Sequence, residues 1–76
     1  MCGIVGYLGQ REVTPVILDG LSKLEYRGYD SAGIAVVDSG TIKVRKKVGR
    51  LAELEKVIAS HPVYGNMGIG DRKSVV

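Results

Sequence analysis

The sequence predicts an α+β fold with helices laid over a mixed sheet, and three observations carry that prediction. A glycine-laced, β-branched run opens the chain at Cys2-Gly3-Ile4-Val5-Gly6-Tyr7-Leu8. Two later segments repeat their apolar residues at three- and four-residue steps, the period of a helix with one buried stripe. Between them lie two β-rich runs joined by Asp38-Ser39-Gly40, which read as an antiparallel hairpin.

Residues 2–8 combine β-branched and aromatic side chains with glycines and end at Gly9-Gln10, which predicts a strand buried on both faces. Thr14 is placed to cap a helix whose first residue is Pro15, where a missing N–H does least harm, and which runs to about Tyr26. Val13, Val16, Ile17, Leu21 and Leu24 form its apolar stripe, with Asp19, Lys23 and Glu25 on the wetter side. Gly20 inside that helix costs about 0.8 to 1.0 kcal/mol relative to alanine, so its retention predicts close packing against a neighbouring element. Gly28 suits a left-handed helix exit.

Residues 32–37 and 41–48 are the hairpin strands. Lys43, Arg45 and Lys47 alternate along the second of them and read as its solvated face rather than a nucleic-acid patch, since the chain has no Phe or Trp to stack on bases. A second helix over residues 50–60 puts Leu51, Leu54, Val57 and Ile58 on one side, and Pro62 stops it. His61 at that stop reads as a helix-end partner. Residues 65–70 begin a fourth strand, glycine-laced as the first is, whereas residues 71–76 show no periodicity.

The 76 residues allow one small domain at most, because a chain of this size buries only about 60% of its unfolded surface. A content of 45% hydrophobic and 25% charged residues is that of a globular protein. A single cysteine excludes an internal disulfide and a multi-thiolate zinc site, so neither metal nor cofactor is expected and a reducing cytoplasm fits. The opening run is broken by glycines and gives way to Gln10-Arg11-Glu12, which predicts neither signal peptide nor membrane span.

The chemistry points to Cys2. Removal of Met1 would leave a thiol and a free α-amine on one residue, and such an amine titrates near neutral pH, at about 7.7 to 8.0. Terminal amine and side chain then form a base and a nucleophile that need no His or Asp elsewhere. The other reading is that Cys2 is a core residue of a small α+β binding module, since cysteine is among the most buried residue types. Its place behind a removable methionine, with Gly3 and Gly6 leaving room for a ligand, weighs toward catalysis.

Met1-Cys2-Gly3-Ile4-Val5-Gly6-Tyr7, the segment Leu24-Glu25-Tyr26-Arg27-Gly28-Tyr29-Asp30-Ser31-Ala32-Gly33-Ile34-Ala35, and Gly68-Ile69-Gly70 together resemble the glutaminase domain of the glutamine:fructose-6-phosphate aminotransferase family. The likeness covers residues 1–70. A Cys-Gly opening is shared with other class II glutamine amidotransferases, but Tyr-Arg-Gly-Tyr-Asp-Ser-Ala-Gly-Ile-Ala is far narrower.

The resemblance implies the N-terminal nucleophile hydrolase fold, two stacked antiparallel sheets between helix layers (an αββα sandwich), here incomplete. It implies that Cys2 attacks the side-chain amide of glutamine, that a thioester forms, and that ammonia passes to a separate domain acting on fructose 6-phosphate. Arg27, Gly28, Tyr29 and Asp30 would lie on a substrate-binding loop beside the nucleophile. The implied enzyme is a cytoplasmic homo-oligomer in amino sugar biosynthesis, without cofactor, nucleic acid or membrane partner.

After Gly-Ile-Gly the family continues His-Thr-Arg-Trp-Ala-Thr-His, and its arginine grips the glutamine carboxylate as a bidentate pair. This chain reads Asp71-Arg72-Lys73-Ser74-Val75-Val76 instead. One reading frame of a common sequencing adapter encodes that hexapeptide, so residues 71–76 are expected to be a non-family tail of artificial origin. Without the family's downstream oxyanion-hole and substrate-amine residues, the chain is expected to be inactive alone and, with open sheet edges, poorly folded or aggregating.

Overall fold

The computed structural model describes residues 2–23 and 31–73, with the backbone alone for residues 2, 72 and 73. Six elements follow in the expected order: β1 (Cys2–Leu8), α1 (Val13–Lys23), β2 (Ser31–Asp38), β3 (Thr41–Val48), α2 (Leu51–Ser60) and β4 (Met67–Lys73). The α+β class stands. The expected mixed sheet does not: the strands lie in the order β1-β4-β2-β3 and every neighbouring pair is antiparallel. Each helical crossover skips one strand, so the pairs it connects, β1 with β2 and β3 with β4, are parallel but never adjacent. The slot left between β1 and β2 is filled by β4.

The hairpin forms as its sequence dictates. Asp38 pairs with Thr41, and Ser39 and Gly40 between them have φ of 53° and 80°. Positive φ at both central residues is the turn whose twist matches that of the flanking strands.

Both helices lie on one side of the sheet. Val13, Ile17 and Leu21 of α1 and Leu51, Leu54 and Ile58 of α2 are buried against Ala32, Ile34 and Val36 of β2, with Val63 closing the core. The helix approaches closely because β1 and β4 leave it room. A Cβ on Gly20 would stand 2.8 Å from Cγ1 of Val5, and one on Gly70 would fall 2.4 Å from Cγ2 of Ile17. Gly20 therefore packs closely against a neighbouring element, the sheet, as a glycine retained inside the helix predicted, and Gly70 is the matching hollow in β4.

Two boundaries and the burial of one strand differ from expectation. Helix α1 starts at Val13, before the expected cap, and Thr14 lies inside its first turn, buried, donating from Oγ1 to the Val63 carbonyl at 2.8 Å. Val13 N–H donates to the Gly65 carbonyl at 2.8 Å, and Gly65 N–H to Oε1 of Glu12 at 2.7 Å. The 63–65 segment thus does the work of the missing cap, satisfying a donor that the helix leaves free at its start. Pro15, in the first turn, meets no bond it would break.

Strand β1 is buried on one face only: α1 covers one side, while Ile4 and Leu8 on the other are 76% and 75% exposed. It is an edge strand, and among the described residues no second layer covers its outer face. Strand β4 runs on through residues 71–73, because a backbone lying between two partners pairs with both whatever its side chains, and Asp71, Arg72 and Lys73 match Ile4, Gly3 and Cys2 on one flank and Gly33, Ala32 and Ser31 on the other.

Candidate functional site

Cys2 opens β1 at one end of the sheet. Its Cα pairs with that of Lys73, and Lys73 pairs on its far side with Ser31. Ser31 is the first described residue after the Tyr-Arg-Gly-Tyr-Asp motif, and two strand spacings of roughly 4.8 Å put its backbone about 10 Å from that of Cys2. Helix α1 runs toward this same end, since Val13 lies over Gly68 while Ile17 and Leu21 lie over Gly70. The described chain therefore leaves α1 and enters β2 at the end of the sheet where Cys2 stands. Arg27, Gly28, Tyr29 and Asp30 themselves lie outside the described residues, as does the expected helix exit at Gly28.

One position was not anticipated. Lys73, read from sequence as part of an aperiodic tail, is the direct register partner of Cys2. No residue pattern signals it, because Asp71-Arg72-Lys73 carries no alternation and its strand geometry comes from pairing with β1 and β2.

Two adjoining depressions of about 350 Å³ each open on the uncovered face of the sheet, both lined by Gly33, Lys46 and Asp71. Ile4, Val44 and Ile69 border one, and Ser31 and Val48 the other. A third of about 310 Å³ lies at the opposite end, between residues 10–12, the hairpin turn and Asn66, remote from Cys2. Among the described residues no group of three His, Cys, Asp or Glu is arranged to hold a metal ion, and no helix is long and apolar enough to cross a membrane.

His61 occupies the C-cap of α2, where its N–H donates to the Val57 carbonyl at 2.8 Å and its own carbonyl accepts from Nε of Arg45 at 2.8 Å. Its backbone closes the helix, in line with the helix-end reading. Lys43 and Lys47 are exposed, as expected of a solvated row, and Lys43 pairs with Asp38 at 3.3 Å. Their row, however, is in register with the buried Val36 and Ala32 on the helix side, where Arg45 between them donates to the carbonyl that ends α2. The apolar alternates Ile42, Val44 and Val48 are the ones left facing the open side.

Glutamine–fructose-6-phosphate aminotransferase (isomerizing) of Clostridium perfringens is 57% identical to this chain over 70 residues, covering 92% of the chain and 12% of that protein. The enzymes of the same name from Clostridium acetobutylicum and Mycobacterium tuberculosis are 56% and 53% identical, over 70 and 73 residues, with the same coverage. The chain thus spans 12% of the length of these relatives. No protein-family model matches it.

Proposed function

The chain belongs to the glutamine–fructose-6-phosphate aminotransferase family as an N-terminal segment, and from that premise we propose that it is the nucleophile-bearing part of a glutaminase. The carrying observation is identity above one half over 70 residues with enzymes whose names specify glutamine and fructose 6-phosphate. Residues 1–70 are the family segment in this reading, and residues 71–76 a foreign tail, of which residues 71–73 take strand geometry from their position.

With Met1 removed, the Cys2 thiol gives its proton to its own α-amine and the sulfur attacks the side-chain amide carbon of glutamine. The tetrahedral adduct collapses by breaking the carbon–nitrogen bond, the ammonium returns its proton to the departing nitrogen, and ammonia leaves behind a thioester. Water hydrolyses the thioester to glutamate and restores the thiol. In the whole enzyme the ammonia goes to fructose 6-phosphate. Arg27, Gly28, Tyr29 and Asp30 bind substrate beside the sulfur; the arrival of β2 at the Cys2 end of the sheet supports this placement. The open apolar face supports the αββα sandwich, in which a second sheet would cover it.

The 76-residue chain alone holds no complete glutamine site and is expected to release no ammonia. A chimaera carrying residues 1–70 of this chain in place of the matching segment of the Clostridium perfringens relative tests the reading. It is expected to lose Met1 by intact-mass measurement, to be alkylated at Cys2 by diazo-oxo-norleucine, and to release ammonia from glutamine. Cys2→Ala should abolish the last two. A folded chimaera with Met1 retained, or ammonia release that survives Cys2→Ala, would overturn it.

A further inference from the structure

We propose that Gly20 is a positioning residue for the nucleophile: its missing side chain sets the height of β1 beneath α1, and so the place of Cys2 on that strand. The proposal deepens the glutaminase reading and rests on it. Every residue of the contact lies within residues 1–70 and on the covered side of the sheet. A Cβ on Gly20 would stand 2.8 Å and 3.1 Å from the two γ-methyls of Val5 and 3.4 Å from its Cβ. Carbon atoms rest at roughly 3.5 to 4.0 Å from one another, so even alanine is too large there. Rotation of Val5 gives no relief. Valine fills two of its three staggered γ positions, so every rotamer occupies at least one of the two that crowd Gly20.

The backbone must give instead, and α1 has little freedom to do so. Ile17 and Leu21, on either side of Gly20 in the helix, are fully buried. Both sit over Gly70 of β4, where a Cβ would fall 2.4 Å from Cγ2 of Ile17 and 3.0 Å from Cδ1 of Leu21. The start of the helix is tied to residues 63–65 through Thr14 and Val13. Because α1 is keyed to β4 along its length, added bulk at Gly20 falls on β1. Val5 is also the register partner of Gly70. The three residues form one junction, in which Gly70 receives the helix and Gly20 receives the strand.

Cys2 lies on the same strand, roughly 10 Å from Val5 at about 3.3 Å per residue. Opening the contact from 2.8 Å to an ordinary distance takes about 0.7 Å or more. A strand moved by that amount carries Cys2 with it, away from substrate groups held by the rest of the enzyme. Misplacing reacting groups by about 1 Å can cost on the order of a hundredfold in rate. The loss falls on the chemical step, so it reads in kcat rather than in KM.

The chimaera described above, with its competent sites counted by diazo-oxo-norleucine labelling, tests the proposal. Gly20→Ala should lower kcat for ammonia release per labelled site about tenfold, with KM for glutamine within about threefold. Adding Val5→Ala, which removes both γ-methyls, should recover kcat to within about threefold of the unsubstituted chimaera. Val5→Ile presses the same contact from the strand side; it should lower kcat per site about threefold and decides the matter where Gly20→Ala does not fold. A purely structural glycine would instead cut the number of labelled sites and leave kcat per site unchanged, which would overturn the proposal. Full kcat per site in Val5→Ile, or a loss that Val5→Ala fails to recover, would overturn it as well. All of these leave the glutaminase reading standing, whereas an unsubstituted chimaera that releases no ammonia would overturn that reading and this proposal together.

Discussion

On one face of the sheet Ala32, Ile34 and Val36 are at most 3% exposed beneath α1 and α2; on the other, seven large apolar residues lie between 41% and 76% exposed. Both faces are built by the same strands, and on each the apolar residues come from alternate positions. What separates them is the small residues. Gly68 and Gly70 on the covered side let Val13, Ile17 and Leu21 settle against β4, where any side chain would hold the helix off. On the open side the glycines receive no helix of the described chain: a Cβ on Gly6 would meet its nearest neighbour, Cγ2 of Ile69, at 3.8 Å, and one on Gly33 would meet the Lys46 and Asp71 side chains of the flanking strands. Apolar content makes a face sticky, but relief decides which element it receives.

The largest contrast should come from truncating one large apolar residue on each side. Leu21→Ala removes a fully buried side chain and is expected to cost about 2 to 5 kcal/mol, because the cavity adds to the lost transfer energy. Ile4→Ala, at the open margin, should cost less than about 1 kcal/mol, since most of that side chain is already in water. Urea denaturation of both variants at one protein concentration measures the difference. Equal losses would mean that the open face is as covered as the other, and the contrast would break.

A smaller, opposite-signed test adds a methyl group. Gly70→Ala drives a Cβ into Ile17 and should destabilise by about 1 to 3 kcal/mol through overpacking. Gly6→Ala meets only ordinary contact and should be neutral or slightly stabilising, because alanine restricts the unfolded chain. Thermal unfolding read by circular dichroism distinguishes them, and a destabilising Gly6→Ala would show an unseen neighbour on the open side.

The smallest effect concerns how the covering helix is tied down. Thr14→Val leaves the Val63 carbonyl without its 2.8 Å donor and should cost about 1 to 2 kcal/mol. Faster amide exchange in residues 63–66 than elsewhere would locate the loss. Uniform acceleration would instead mean that the threonine serves the whole core.

Much of this was legible in the residues. The order of elements, the Asp38-Ser39-Gly40 turn, the stripes of both helices and the tight site at Gly20 follow from period, turn chemistry and side-chain volume, which act over a few residues. The N-terminal cysteine and the family likeness of residues 1–70 were legible as well. A local capping rule misplaces the start of α1 because the first turn is satisfied by Val63 and Gly65, far along the chain. The opening strand reads as doubly buried because apolar density does not reveal how many layers cover it.

The residues of this chain set its local conformations and point to the proposed nucleophile, since helix period, turn geometry and the chemistry of a thiol beside an amine are short-range matters. Strand order was beyond their reach: that β4 enters between β1 and β2, and so brings residue 73 opposite Cys2, is a choice among non-local pairings. Such pairings join residues far apart in the chain, and the hollow at Gly68 and Gly70 that receives α1 exists only once the layers meet.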